Sequence, residues 1–137
     1  NVANIIGFAS ALKTTQDIRQ EETTRLQKLQ QYFIKELADD MPEIFVNGSL
    51  KSRLPNNVHI TIPNSDNERL IFGLDELGVQ CSAGSACSAS DETPSHVLRS
   101  IGLSDEDARS SLRFSMGRRT SLQDIKIVVD LLVKLVD

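Results

Sequence analysis

The chain has 137 residues, of which 39% are hydrophobic and 25% charged, with a formal net charge of −4. That is one ordinary domain with enough apolar material for a core, which excludes a disordered tail. No apolar run approaches the ~20 residues of a spanning helix, and the acidic balance argues against general nucleic-acid or anionic-membrane binding.

The first forty residues read as helix in two segments. Val2, Ile5, Ile6, Ala9 and Leu12 form one apolar set, and Ile18, Leu26, Leu29, Phe33 and Leu37 form the next. Lys13, Thr14 and Thr15 between them mark a bend or junction, and Arg19, Glu21, Glu22, Arg25, Lys28 and Glu36 make a solvated opposite face. Asp39, Asp40 and Pro42 stop the helix. A short strand over 44–46 and an Asn47-Gly48 turn follow. Residues 58–62 alternate apolar and polar as a half-buried strand does, and Pro63 ends it.

Ser65-x-x-Glu68 reads as a capping box opening a helix with Leu70, Ile71, Leu74 and Leu77 on one face and Gly78 as its left-handed C-cap. Val79-Gln80-Cys81 reads as a short strand. Residues 82–90 are almost wholly small, so nothing anchors them to a core and they read as a mobile loop. Thr93-Pro94 starts a short helix through Val97, Leu98 and Ile101, closed by Gly102, and Ser104-x-x-Asp107 caps another. A strand over 112–116 puts Leu112, Phe114 and Met116 on one face and Arg113 on the other. Thr120-x-x-Gln123 then opens a last helix, where Lys126, Asp130 and Lys134 are a narrow polar stripe on an apolar cylinder. The order predicts one α/β layered domain, a small sheet covered by helices.

Cys81 and Cys87 lack C-x-x-C spacing, and with His59 and His96 they offer no close ligand pair, so no metal site is expected. The chain begins at Asn1 with no leader-like stretch, which points to a reducing, cytoplasmic setting and to a piece of a longer protein. Cys81, at a strand end, reads as a core cysteine. Cys87, among glycine and serine, is open to a functional role or an ordinary one. Arg113, inside a strand, could grip a carboxylate bidentately or serve as an outward or ion-paired arginine. His59 and His96 read as surface or hydrogen-bonded histidines, and Asn56-Asn57 as a pocket rim or a turn.

Four segments together resemble the C-terminal part of a NifS-type cysteine desulfurase: Leu54-Pro55-Asn56-Asn57, residues 82–88 (SAGSACS), Pro94-Ser95-His96-Val97-Leu98, and residues 110–117 (SSLRFSMG). The resemblance implies the small C-terminal domain of a fold-type-I pyridoxal-phosphate transferase over 15–137, with residues 1–14 a helical lead-in from the large domain. It implies that Cys87 takes sulfur from L-cysteine as a persulfide, leaving L-alanine, and that Arg113 binds the substrate carboxylate. It also implies a homodimeric parent, a sulfur-acceptor or scaffold protein, and a role in iron–sulfur cluster or thio-cofactor assembly. The cofactor's lysine follows a histidine in that family. None of Lys13, Lys28, Lys35, Lys51, Lys126 and Lys134 does so, so this chain alone is expected to bind no pyridoxal phosphate and to be inactive. The alternatives are a non-enzymatic sulfur-carrier or interaction module of the same fold and a selenocysteine lyase fragment. A His-Lys pair encoded upstream would favour the enzyme.

Overall fold

In the computed structural model, which describes residues 1–83 and 94–136, the first helix, α1, runs over Val2–Asp40. The break expected at Lys13–Thr15 is absent. Thr14 Oγ1 donates to the Ser10 carbonyl at 3.0 Å, and Thr15 Oγ1 to the carbonyls of Ala11 at 3.0 Å and Leu12 at 2.8 Å. Hydroxyls satisfied on the preceding turn leave the backbone ladder intact. Asn1 caps the start by accepting from the Asn4 amide at 3.2 Å. At the far end the Met41 N–H still reaches the Leu37 carbonyl, and Pro42 follows.

The remaining elements are β1 (Phe45–Val46), β2 (Asn57–Thr61), α2 (Asn67–Glu76), α3 (His96–Ser100), α4 (Asp105–Arg109), β3 (Ser111–Ser115) and α5 (Leu122–Val136). The strands form one antiparallel sheet in the order β1-β2-β3. Period-two alternation sends Val58 and Ile60, paired with Phe114 and Leu112, to one face. There they meet Leu26, Leu29, Phe33 and Leu37 of α1, Leu70 and Leu74 of α2, and Ile125, Val129 and Leu132 of α5 in one core. Phe33 and Phe114 pack edge to face with centroids 5.3 Å apart. Each fully buried Leu or Ile contributes about 1.5–3 kcal/mol, so this face holds the domain together. Lys126, Asp130 and Lys134 lie on the outside of α5, as the polar stripe predicts.

Two helix starts differ from expectation by one residue. Asp66 caps α2, accepting from the amides of Glu68 at 2.9 Å and Arg69 at 3.1 Å, while Ser65 Oγ donates to the Ile62 carbonyl. A carboxylate beside two free amides is the stronger acceptor. At α5 the reciprocal pair is Ser121 and Asp124, and Thr120 Oγ1 instead accepts from the Gly117 amide. Ser104 caps α4 as expected, taking the Asp107 amide at 3.0 Å. The predicted strand at 79–81 does not form. Val79 N–H returns to the Leu74 carbonyl, and pairing with the sheet is confined to Ser82 opposite Arg113.

Candidate functional site

The second face of the sheet is polar. Asn57, His59 and Thr61 of β2 stand opposite Ser115, Arg113 and Ser111 of β3, so one alternation that builds the core also gathers these side chains. Asn47, Asn57, His59 and Arg113 meet Ser95, Val97, Leu98 and Ile101 around a cavity of about 270 Å³. The α3 segment thus supplies its apolar wall.

Arg113 is half-buried in this cavity. Arg25 and Arg99 are held by Glu22 at 2.8 Å and Asp105 at 2.6 Å. Among the described residues no carboxylate lies within ion-pairing distance of the Arg113 guanidinium. Its backbone is fixed by exchange with Ser82, through Arg113 N–H to the Ser82 carbonyl at 2.7 Å and Ser82 N–H to the Arg113 carbonyl at 3.1 Å. The chain therefore enters the Ser/Ala segment directly alongside this arginine. Cys87 itself lies outside the described residues.

Beneath the cavity runs a buried hydrogen-bond web. Asn47 Nδ2 donates to His59 Nδ1 at 2.7 Å and to Ser111 Oγ at 3.2 Å. Thr61 Oγ1 donates to Asn47 Oδ1 at 3.0 Å and lies 2.8 Å from Ser111 Oγ, which donates to the Asp107 carbonyl at 2.7 Å. Arg53 joins from the side, donating to the carbonyls of Asn47 and Ser49. Burial, then the charges of Arg113 and Arg53, push the His59 imidazole down to about 4, so it is neutral near pH 7. Accepting at Nδ1 places its proton on Nε2.

Of the two readings of His59, surface or hydrogen-bonded, the structure shows the second: it is a buried, hydrogen-bonded residue lining this cavity. Asn47, Thr61 and Ser111 were not singled out as site residues. For Thr61 and Ser111 the available signal is the polar phase of two strands whose other phase is apolar; Asn47 lies outside both strands and carries no such signal. Asn57 lines the cavity, and its carbonyl is held by Gln30 Nε2 at 2.7 Å. His96 is exposed. Cys81 is half-buried against the core, and burial followed by the charge of Asp75 raises its thiol to about 11, so it stays protonated near pH 7.

The six lysines all lie on the exposed surface, and none lines the cavity. A Schiff base to pyridoxal phosphate needs a lysine in the pocket, so the described residues do not fit that cofactor by themselves. Among them no group of three or more His, Cys, Asp or Glu side chains could hold a metal ion, and no helix is long and apolar enough to cross a membrane.

A three-stranded antiparallel sheet, helix-covered on one face and carrying a cavity arginine on the other, is an α/β domain of the kind found in pyridoxal-phosphate transferases of fold type I. The chain belongs to the class-V aminotransferase family, whose pattern matches residues 1–128. It is 36% identical over 137 residues to the cysteine desulfurase IscS of Dictyoglomus turgidum, covering all of this chain and 35% of that protein. The cysteine desulfurase IscS of Methylococcus capsulatus is 37% identical over 93% of this chain and 31% of its own length. The X-ray structure of a NifS-like protein from Rickettsia africae superposes with a TM-score of 0.78 at 32% identity, over 96% of this chain and 33% of that one. A second NifS-like structure, at 19% identity and a TM-score of 0.82, shares the fold. The chain thus spans about a third of the length of the relatives it matches.

Proposed function

We propose that this chain is the C-terminal part of a pyridoxal-phosphate-dependent cysteine desulfurase, with residues 1–14 leading in from a large domain and 15–137 forming the small one. The observation that carries the reading is Arg113: an arginine without an acidic partner among the described residues, half-buried in a cavity and paired through its backbone with Ser82, five residues before Cys87 in the sequence. Similarity to cysteine desulfurases along the whole chain supports it.

Arg113 grips the carboxylate of L-cysteine through its planar fork, which orients the substrate. The Cys87 thiol receives the sulfur: the substrate C–S bond breaks, an S–S bond forms, and a proton on the carbon completes L-alanine. The persulfide on Cys87 is then passed to an acceptor or scaffold protein in iron–sulfur cluster or thio-cofactor assembly. In the parent, pyridoxal phosphate would supply the electron sink for C–S cleavage and would be held by a lysine other than the six of this chain. We place the parent in the cytoplasm as a homodimer.

The test is the full-length parent given L-cysteine. Equal amounts of alanine and acceptor-bound sulfur should appear, with one added sulfur on the Cys87 peptide by mass spectrometry. Cys87→Ser should abolish the adduct and sulfur delivery. A Cys87→Ser parent that still delivers sulfur at the wild-type rate would remove Cys87 from the reaction.

A further inference from the structure

We propose that His59 is the second carboxylate donor of the Arg113 cavity, its Nε2–H directed at the same substrate carboxylate that the guanidinium grips. The identity of the substrate rests on the desulfurase reading, whereas the anion seat rests on the geometry of β2 and β3.

His59 stands directly opposite Arg113 in the ladder, so both side chains leave the same face of the sheet and line the same cavity. His59 is only 9% exposed. Its orientation is held from behind: Asn47 occupies Nδ1, and Thr61 and Ser111 hold the Asn47 amide. The ring therefore offers the cavity a donor. That atom, Nε2, is buried and has no partner among the described residues, and neither does Ser95 Oγ on the facing wall.

A buried donor left unpaired costs about 1–3 kcal/mol, so such groups normally have a partner. What Arg113 and His59 present is donors only, one of them cationic. A matching ligand must be an acceptor with negative charge and more than one oxygen. A carboxylate meets this with two oxygens and about four lone-pair sites, enough for a guanidinium fork and an imidazole N–H together. A ring held neutral adds that contact without the cost of burying a second cation beside Arg113.

The experiment is binding of L-alanine to the full-length parent, with ethylamine, its analogue lacking the carboxylate, as the matched probe. His59→Leu should weaken L-alanine about 10-fold and leave ethylamine unchanged, while His59→Gln, which keeps a side-chain N–H, should restore most of the loss. Equal L-alanine affinity in wild type and His59→Leu, or an equal loss for both probes, would overturn the assignment. Should His59→Leu fail to fold, ¹⁵N spectra of the wild-type ring decide. The proton must sit on Nε2, and its resonance must move with L-alanine; a proton on Nδ1 or an unmoved resonance overturns the proposal. A parent that binds L-alanine through His59 yet forms no alanine from L-cysteine would refute the desulfurase reading alone. Desulfuration with His59→Leu binding L-alanine normally would refute the His59 role alone.

Discussion

Arg113 and His59 sit across one rung of the ladder and differ in what fixes them. The arginine is held by its backbone exchange with Ser82, and its guanidinium has no acidic partner among the described residues. Arg113→Lys retains the charge but loses bidentate geometry. In the parent it should lower kcat/KM for L-cysteine by about 10–100-fold, mainly through KM, as steady-state kinetics would read. His59 couples the site to acid stability. The unfolded imidazole titrates near 6.5 and the folded one near 4. Above pH 6.5 both states are neutral and no difference arises. Between these values the unfolded chain binds a proton that the folded chain refuses, so stability falls as pH drops. Comparing urea midpoints at pH 7 and 4.5, wild type should lose about 1–2 kcal/mol more than His59→Gln, a figure reduced for solvent at the cavity mouth.

Among the elements, caps and packing set the positions of the strands. The Asp66 cap carries the start of α2. Asp66→Ala should cost about 1 kcal/mol in thermal melts, whereas Glu68→Gln should stay within about 0.5 kcal/mol. Next to it α2 approaches α5 closely at Gly73, where a Cβ would stand 3.0 Å from Leu135 Cδ2. Gly73→Leu should therefore destabilise by about 1–3 kcal/mol through overpacking, measurable by urea denaturation. Both changes lie on the core side of the sheet. Their effect on L-alanine binding by the parent should be small wherever the domain stays folded.

Across the whole molecule, the two halves of α1 behave differently. Leu26, Leu29, Phe33 and Leu37 lie in the core, whereas Val2, Ile5, Ile6 and Phe8 are each more than 60% exposed. This clustered apolar surface is larger than single scattered side chains would make and favours association. The double substitution Ile5→Ser with Phe8→Ser should lower self-association of this chain in sedimentation velocity. It should move unfolding free energy by no more than about 0.5 kcal/mol per site, because neither side chain touches the core.

Periodicity alone determined most of the architecture. The stretches that alternate in 58–62 and 112–116 became the two longer strands, each displaced by one residue to Asn57–Thr61 and Ser111–Ser115, and the striped pattern of 122–136 became a helix with its polar line outward. These are local properties of spacing and survive any packing. The cap positions shifted by one residue because Asp66 and Ser121 compete with their neighbours on geometry that spacing does not encode. Arg113 was legible as a residue committed to one face. Its lack of an acidic partner among the described residues was not, since ion pairing depends on what other segments bring near. Asn47 reads as a turn residue, and only folding β1 onto β2 buries it against His59, Thr61 and Ser111. A layered α/β domain was thus written in the chain's own periodicity, whereas its family rests on the motif segments that resemble a NifS-type cysteine desulfurase and on the class-V aminotransferase match. The tertiary structure decided which polar residues meet, because antiparallel register, and not sequence distance, sets Asn47, His59 and Arg113 around one cavity with Ser111 bonded beneath it.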